Sequence, residues 1–482
     1  MLQAREGSPL KDVLHEFGVE FPCGGKGTCG KCAVRILDGI TEPDSHHKER
    51  LQELQLDPQW RLACLSSCEN DMVVEVGQFE TIIQADETPF DFEPGSGLGV
   101  AVDLGTTTLV AQLVDLETGH ILAVETGLNP QNKHGSDLIS RLESALSEGP
   151  EQLTGMIRIR IGNMIDTLCA GRSCELTKIV IVGNTVMQHF FCGSDIKQLS
   201  FYPFESEELG LKRFTPHELG WKVKCDDISF YPSIGSFVGS DILAGIEATG
   251  MHKSEGFSVL IDLGTNGEIA MGNKDRMLCA STAAGPAFEG ARISMGMLAT
   301  TGAIASVHSI KDVMSCRVIG DTEPRGICGS GLIDAVGVML QEGLLGEFGE
   351  ILSGEQQVMI AHPVFLSQKD IQEFQLAKAA IASGIEILLA RLGAGKEEIT
   401  SVYIAGAFGN FINVGNVLRT GMLDFPEELI HQLGNTALMG ARMFLFSNAT
   451  ITGKILGITS HVNLESEEQF QDLYVKHMEF NP

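Results

Sequence analysis

Val100-Ala101-Val102-Asp103-Leu104-Gly105-Thr106-Thr107-Thr108 returns later in the chain as Val259-Leu260-Ile261-Asp262-Leu263-Gly264-Thr265-Asn266-Gly267. Each copy is an apolar run of strand length that ends in Asp-Leu-Gly-Thr. That is the pattern of a strand buried on both faces and stopped by a turn. A second pair follows in the same order: Ile179-Val180-Ile181-Val182-Gly183-Asn184, then Val402-Tyr403-Ile404-Ala405-Gly406-Ala407-Phe408-Gly409. Two strands repeated in one order predict an α/β domain of two duplicated lobes facing each other across a cleft. In each copy the carboxylate stands at the mouth of a tight turn. The N–H and hydroxyl groups of such a turn can hold phosphate oxygens, and the carboxylate can hold Mg2+ through water. No GxxxxGK followed by Ser or Thr is present, so this is not a P-loop. One Asp-Gly turn is ordinary hairpin chemistry; the duplication gives it weight.

These segments resemble the phosphate-1, connect and phosphate-2 motifs of the acetate kinase/sugar kinase/Hsp70/actin superfamily. Val402 to Asn413, with Gly406 and Gly409, resembles its adenosine motif. The resemblance implies an actin-like ATPase in which Asp103 and Asp262 organise Mg2+ and the attacking water. Gly105, Thr106, Thr107, Asn184, Gly264, Thr265 and Asn266 would hold the phosphates, and Gly406 and Gly409 would admit base and ribose. Other segments leave two readings open. Gly326 to Asp334 suits a nucleotide loop or a plain helix entry, and Ala284 to Gly290 could line the cleft. Asp137 and Arg141 read as a capped helix with an ion pair. The helix from Gln375 to Leu392 is core, with Lys378 a candidate to reach the nucleotide.

Cysteine supplies the second signal. The chain holds 482 residues and twelve cysteines, and five of them (Cys23, Cys29, Cys32, Cys64, Cys68) fall near the start. Without a secretory signal a disulfide framework is not expected, so clustered thiols point to metal. Cys23, Cys29, Cys32 and Cys64 have the spacing C-x5-C-x2-C…C, close to the C-x4-C-x2-C…C of plant-type [2Fe-2S] proteins. The intervening glycines permit positive φ and let N–H groups turn towards sulfide. The competing reading, zinc on Cys29, Cys32, Cys64 and Cys68, leaves Cys23 and those glycines unexplained. The stretch resembles the ferredoxin-like [2Fe-2S] domain with a β-grasp fold. Only 22 residues precede Cys23, too few for most of the N-terminal hairpin of that fold.

Composition sets the outer limits. A net charge of −29 argues against nucleic acid, because phosphate binding needs a basic face. No apolar run is long enough to span a membrane and no signal peptide is recognisable, so a cytoplasmic protein is expected. The expected organisation is a cluster domain over 1–82, a linker over 83–97 and the ATPase over 98–482. Its lobes are expected at about 98–255 and 256–482.

A one-electron carrier fused to an ATP-driven clamp suggests uphill electron transfer, since moving one charge against 100 mV costs about 2.3 kcal/mol. That lies within the range of one allosteric coupling. The whole chain resembles the reductive activators of corrinoid-dependent enzymes. Asn129-Pro130-Gln131, Ile234 to Asp241 and Gln368 to Ile371 add to the likeness. The resemblance implies one electron passed from a [2Fe-2S] cluster to Co(II), regenerating Co(I) for methyl transfer with ATP and Mg2+. It also implies a corrinoid protein as partner and a low-potential donor such as a ferredoxin or flavodoxin. Homodimer formation stays open, because the extra middle domain of longer members is missing. Two alternatives are an activator of a radical dehydratase, with Cys279 and Cys316 as candidate ligands of a [4Fe-4S] cluster between subunits, and a redox-sensing nucleotide-binding regulator.

Overall fold

A computed structural model describes residues 4–14, 19, 21, 25, 27, 32–39, 42–53, 59–69, 71–75, 89–135, 137–172, 175–202, 204–264, 266–285, 287–310, 313–406, 411–447 and 449–480. Helix α1 (Leu10–Leu14) is followed by β1 (Ala33–Asp38), α2 (Ser45–Glu53), β2 (Trp60–Leu62) and β3 (Val73–Glu75). The strands form an antiparallel sheet in the order β2-β1-β3. Leu10, Leu14, Val34, Ile36 and Leu62 fill the core of this small domain. Ahead of α1 the chain is tied by backbone bonds to the segment after β2, Cys68 N–H to the Ser8 carbonyl at 2.8 Å and Gly7 N–H to the Cys68 carbonyl at 2.7 Å.

The first lobe contains β4 (Leu98–Leu104), β5 (Thr108–Asp115), β6 (Ile121–Leu128), α3 (Leu138–Glu148), α4 (Pro150–Leu168), β7 (Leu176–Gly183) and α5 (Thr185–Cys192). It continues through α6 (Lys197–Ser200), β8 (Lys212–Phe214), α7 (Pro216–Leu219) and β9 (Cys225–Phe230) to α8 (Ser240–Thr249). The second lobe opens with β10 (Phe257–Leu263), β11 (Gly267–Gly272) and β12 (Met277–Thr282). A separate sheet, β13 (Ala303–Ile310), β14 (Val313–Val318) and β15 (Gly326–Ile327), precedes α9 (Gly329–Gln341). The hairpin β16 (Gln357–Ala361) and β17 (Val364–Ser367) leads into α10 (Gln368–Leu392). The chain ends with β18 (Ile399–Ala405), α11 (Val414–Arg419), β19 (Ile430–Gln432), α12 (Thr436–Phe446), α13 (Ala449–Ile458), β20 (Thr459–His461) and α14 (Phe470–Lys476). Among the described residues no helix is long and apolar enough to cross a membrane.

The two large sheets repeat one plan. The first runs β6-β5-β4-β7-β9-β8, the second β20-β12-β11-β10-β18-β19. In each, an antiparallel meander presents its first strand to a parallel partner, β4 to β7 and β10 to β18. The repeated strand pairs of the sequence are these two parallel pairs. Strand alternation then sorts the faces. Val100, Val102 and Leu104 join the outer core of the first lobe with α3, α4 and α5. Val259, Ile261 and Leu263 join the outer core of the second with α9 and α10. Ala101 and Leu260 face a central core built around α8 and α12. By the same parity Asp103 and Asp262 stand on the inner faces, towards one another.

The central helices cross between lobes. Helix α12 comes late in the chain but packs on β4 and β7 of the first lobe, while α8 touches β10 and β11 of the second as well as β7. They approach closely: a Cβ at Gly440 would lie 2.0 Å from the Ala244 carbonyl oxygen, so only glycine fits there.

Several local expectations differ in detail. Asp137 caps α3, accepting from Ser140 N–H at 2.8 Å, but Arg141 donates to the Gly135 carbonyl instead of pairing with Asp137. Lys378 does not turn towards the cleft. It is buried, donates to the Glu479 carbonyl and lies 5.2 Å from the Phe480 ring, pinning the C-terminal segment. The Gly326 to Asp334 stretch is a packed helix entry in which Asp334 accepts from the Asn416 amide at 2.8 Å.

Candidate functional site

The first Gly-Thr-Thr turn is braced from below. The buried Asn129 amide donates to the Gly105 carbonyl at 2.9 Å, Asn129 N–H bonds the Thr107 carbonyl at 2.8 Å, and Asn132 donates to the same carbonyl at 3.2 Å. Asn184, which caps α5 through Met187 N–H at 3.0 Å, donates its amide to Thr106 Oγ1 at 2.9 Å. The connect strand and the first turn therefore meet side chain to side chain. Thr107 Oγ1 donates to Glu289 Oε2 at 2.9 Å and so reaches the other lobe, where the Ala284 to Gly290 stretch does line the cleft.

The second turn is built alike. Gly264 N–H bonds the Asn266 carbonyl at 3.0 Å, and the Asn266 side chain donates to Glu268. Gly406, at the end of β18, has φ +107, and a Cβ there would lie 3.0 Å from an Asp262 carboxylate oxygen. Only glycine lets the chain pass so near that carboxylate. Thr265 and Gly409, also expected here, lie outside the described residues.

Four carboxyl groups converge on the cleft. Burial pushes Asp103 up to about 6, and a hydrogen bond from Asn435, at 2.6 Å, partly offsets it. Burial and then Asp103 lift Asp262 to about 7. Asp241, in the first turn of α8, is raised to about 8 by burial and by Asp262 and Asp103. Glu268 on β11 is raised well above the usual range by burial, Asp241 and Asp262. Among the described residues no Lys, Arg or His side chain pairs with any of the four. Their mutual repulsion is relieved only by protons or by a cation from solution. No three His, Cys, Asp or Glu side chains among the described residues lie close enough to ligate one ion directly.

Sequence reading missed Asn435, Asp241 and Glu268 as members of this site. Asp241 stood in a stretch already marked, Ile234 to Asp241, with nothing to single it out. Asn435 reads locally as a helix cap, which it is, accepting from Leu438 N–H at 2.8 Å. Its second bond joins residues 332 positions apart.

In the small domain Cys32 and Cys64 lie together, sulfur to sulfur 3.2 Å, and Ala63 N–H bonds the Cys32 carbonyl at 2.9 Å. Gly25 and Gly27 both have positive φ. Cys23 and Cys29 lie outside the described residues. Cys68 does not join the pair in any three-membered group; burial raises its thiol at the edge of the core. The zinc reading needs Cys32, Cys64 and Cys68 together, whereas the [2Fe-2S] reading needs Cys32 and Cys64 together and leaves Cys68 out. His47 was also missed: it is buried, held below its usual value by burial and then by Arg61, and its Nε2 accepts from Leu62 N–H at 2.9 Å. It fixes the turn that carries Cys64. The dehydratase-activator ligands do not meet. Cys279 is sealed in the central core, and Cys316 lies on β14 of the separate sheet.

The small domain touches the first lobe beside the turn that braces Gly105 and Thr107. Lys133, in the turn that carries Asn129 and Asn132, bonds Asp12 of α1 at 3.1 Å.

Comparison with known proteins gives a consistent picture. Residues 2–69 match the 2Fe-2S iron-sulfur cluster binding domain, 98–254 the RACo middle region, and 256–482 the C-terminal domain of RACo, the ASKHA domain. The region called middle is thus the first lobe described above. The corrinoid activation enzyme RamQ of Eubacterium limosum is 35% identical over 586 aligned positions, covering 99% of this chain and 97% of that protein. The alignment exceeds the 482 residues here, so that relative carries stretches this chain lacks. A Co(II) methylated amine-specific corrinoid protein reductase of Methanosarcina barkeri is 27% identical over 78% of this chain and 76% of its own. Among solved structures, a reductive activator for a corrinoid, iron-sulfur protein superposes with a TM-score of 0.73 at 26% identity, over 99% of this chain and 96% of that one. A cysteine pair in a 2Fe-2S domain, joined to duplicated lobes that match along their whole length, leaves one assignment: the chain belongs to the family of reductive activators of corrinoid-dependent enzymes.

Proposed function

We propose that this chain performs ATP-dependent reductive activation of a corrinoid protein, delivering one electron to Co(II) to give the Co(I) state used in methyl transfer. The observation that carries this reading is the Lys133–Asp12 bridge, which joins the cluster domain to the element bracing the first phosphate turn. Electron carrier and nucleotide site are thereby parts of one device. A [2Fe-2S] cluster held by Cys23, Cys29, Cys32 and Cys64 supplies electrons singly, and one electron separates Co(II) from Co(I).

In the cleft, Gly105, Thr106, Thr107 and Asn184 of the first lobe and Gly264, Thr265 and Asn266 of the second hold phosphate oxygens of ATP. Gly406 and Gly409 give room to base and ribose. Asp103 and Asp262 would hold Mg2+, which would neutralise phosphate charge; the buried carboxyls clustered around them support this. A bare triphosphate would be repelled by that group; a Mg2+-bound one is attracted. Hydrolysis adds one water across the terminal phosphoanhydride. Asp262, at the mouth of the second turn, is placed to orient the attacking water. Electrons reach the cluster domain from a low-potential donor such as a ferredoxin or flavodoxin, in the cytoplasm.

The test is anaerobic mixing of the reduced protein, Mg2+ and ATP with a Co(II) corrinoid protein while the Co(I) absorption band is followed. Co(I) should appear only when ATP is present. Equal yield without ATP, or none with it, overturns the assignment.

A further inference from the structure

The end of the linker packs on the C-terminal end of α12. Phe90 and Phe92 pack on Phe446, the last residue of α12, with ring centroids 5.7 Å and 4.4 Å away, and the Arg442 guanidinium lies 5.2 Å from the Phe90 ring. Beyond them Gly95 N–H bonds the Leu116 carbonyl at 2.7 Å, so the chain enters β4 already anchored. The other end of the same helix is the nucleotide site, where Asn435 caps α12 and holds Asp103. Eleven residues of helix, about 16 Å, separate the two ends.

Helix α12 is fixed along the first lobe. Lys178 Nζ on β7 donates to the carbonyls of Phe444 at 2.6 Å and Ser447 at 3.2 Å, and Tyr231 stacks on Phe444 with centroids 4.5 Å apart. On the stripe of α12 that carries Phe444, Thr436 and Gly440 meet α8 through small residues, Gly440 against Ala244 and Thr436 against Gly245, a seam with few side chains to interlock. The linker leaves an open pocket of ≈ 630 Å³ lined by Glu247 of α8, Lys253, Met443 and Phe446. Glu247 of α8, which pairs with His252 at 3.3 Å and Lys253 at 3.6 Å, thus faces the linker aromatics across this pocket.

We infer that Phe90, Phe92 and Phe446 form a clamp that fastens the cluster domain to the nucleotide-contacting helix, making Phe92 and Phe446 positioning residues for electron delivery. This rests on the reductive-activation reading above. Rings with few rotatable bonds make a stiff joint, and a stiff joint passes a change at Asp103–Asn435 to the linker instead of absorbing it. Loss of the clamp uncouples the two halves without disabling either.

The test uses the full-length holoprotein carrying Phe92→Ala or Phe446→Ala, with Phe92→Leu and Phe446→Leu as volume-keeping controls. Cluster spectrum, ATP turnover with a Co(II) corrinoid protein, and Co(I) formed are measured together. The alanine variants should keep the spectrum and ATP turnover while Co(I) formed per ATP falls about five-fold or more, the lower end of one coupling. Leucine should restore most of the ratio. An unchanged ratio, or a fall in ATP turnover equal to the fall in Co(I), overturns the inference. Hydrogen exchange over residues 89–97 with and without a non-hydrolysable Mg2+–ATP analogue needs no corrinoid. Nucleotide should change it in the native protein, and no change overturns the clamp even where Co(I) forms. Failure of the native protein to form Co(I) counts instead against the underlying function.

Discussion

Asn435 carries two bonds, and separating them tests how the cleft sets its charge. Its side-chain oxygen caps α12, and its amide donates to Asp103 at 2.6 Å. Asn435→Ala removes both; Asn435→Asp keeps a capping oxygen but replaces the donor with a second carboxylate. Loss of the cap costs about 1 kcal/mol. A hydrogen bond to a charged group contributes about 1.5–3 kcal/mol. That bond lowers Asp103, which burial raises to about 6 even with the bond in place. Losing it is equivalent to about 1–2 pKa units, which carries Asp103 to about 7 or above. At pH 7 its ionised share then drops from about nine-tenths to half or less. If ionised Asp103 holds Mg2+, the acid limb of partner-stimulated ATP turnover moves up by about one unit in Asn435→Ala, and activity returns in mildly alkaline buffer. Asn435→Asp should shift it further, since its helix cap survives while repulsion is added. The assay is the pH profile of ATP turnover for the three proteins at saturating Mg2+. An unmoved acid limb in both variants refutes the reasoning, because a purely structural role for Asn435 would lower activity at every pH alike.

Further outcomes follow from the same geometry. Asp241, Asp262 and Asp103 are raised, so the folded chain retains protons that the unfolded chain has released above about pH 4. Nucleotide-free stability must then fall as pH climbs through the window from about 4 to about 8. Asp241→Asn should raise the melting temperature at pH 8 and flatten that decline; a thermal scan showing no gain would count against the carboxyl cluster. Asp103→Ala or Asp262→Ala should abolish ATP-dependent Co(I) formation with the cluster spectrum intact, and Cys64→Ala should bleach the spectrum while nucleotide binding, measured calorimetrically, persists. Activation surviving both aspartate changes would remove them from the mechanism. Gly440→Ala puts a Cβ against the Ala244 carbonyl, forcing α8 and α12 apart, and should cost about 1–3 kcal/mol in denaturant unfolding. Unchanged stability would show that the helices separate freely.

The unequal legibility of the two sites has a physical basis. Ligand sets that lie within one loop can be read in order along the chain, as the C-x5-C-x2-C run was. His47, which orients the Cys64 turn, could not be found this way, because a buried neutral histidine looks like any other until its partner, Leu62 N–H, is known. In the cleft, Thr106 and Asn184 were legible as turn residues, yet their mutual bond depends on β4 and β7 being neighbours. Lys378 was misdirected for a related reason: helical spacing gives a residue's face but not which end of the molecule that face meets.

What the sequence determined by itself was the repeated strand, and through the two-residue alternation of strands, that Asp103 shares the face of Ala101 and Asp262 the face of Leu260. Parity along a strand is local and survives any packing. It also pointed to an iron-sulfur domain at the start of the chain, because the C-x5-C-x2-C spacing and glycine content are local. Only the tertiary structure decided that α12 lies on the other lobe, bringing Asn435 to Asp103, Lys178 to its C-terminal carbonyls and the linker aromatics to Phe446. Those contacts follow from two helices exchanged between two sheets, a global packing solution that leaves no period, motif or composition in the chain.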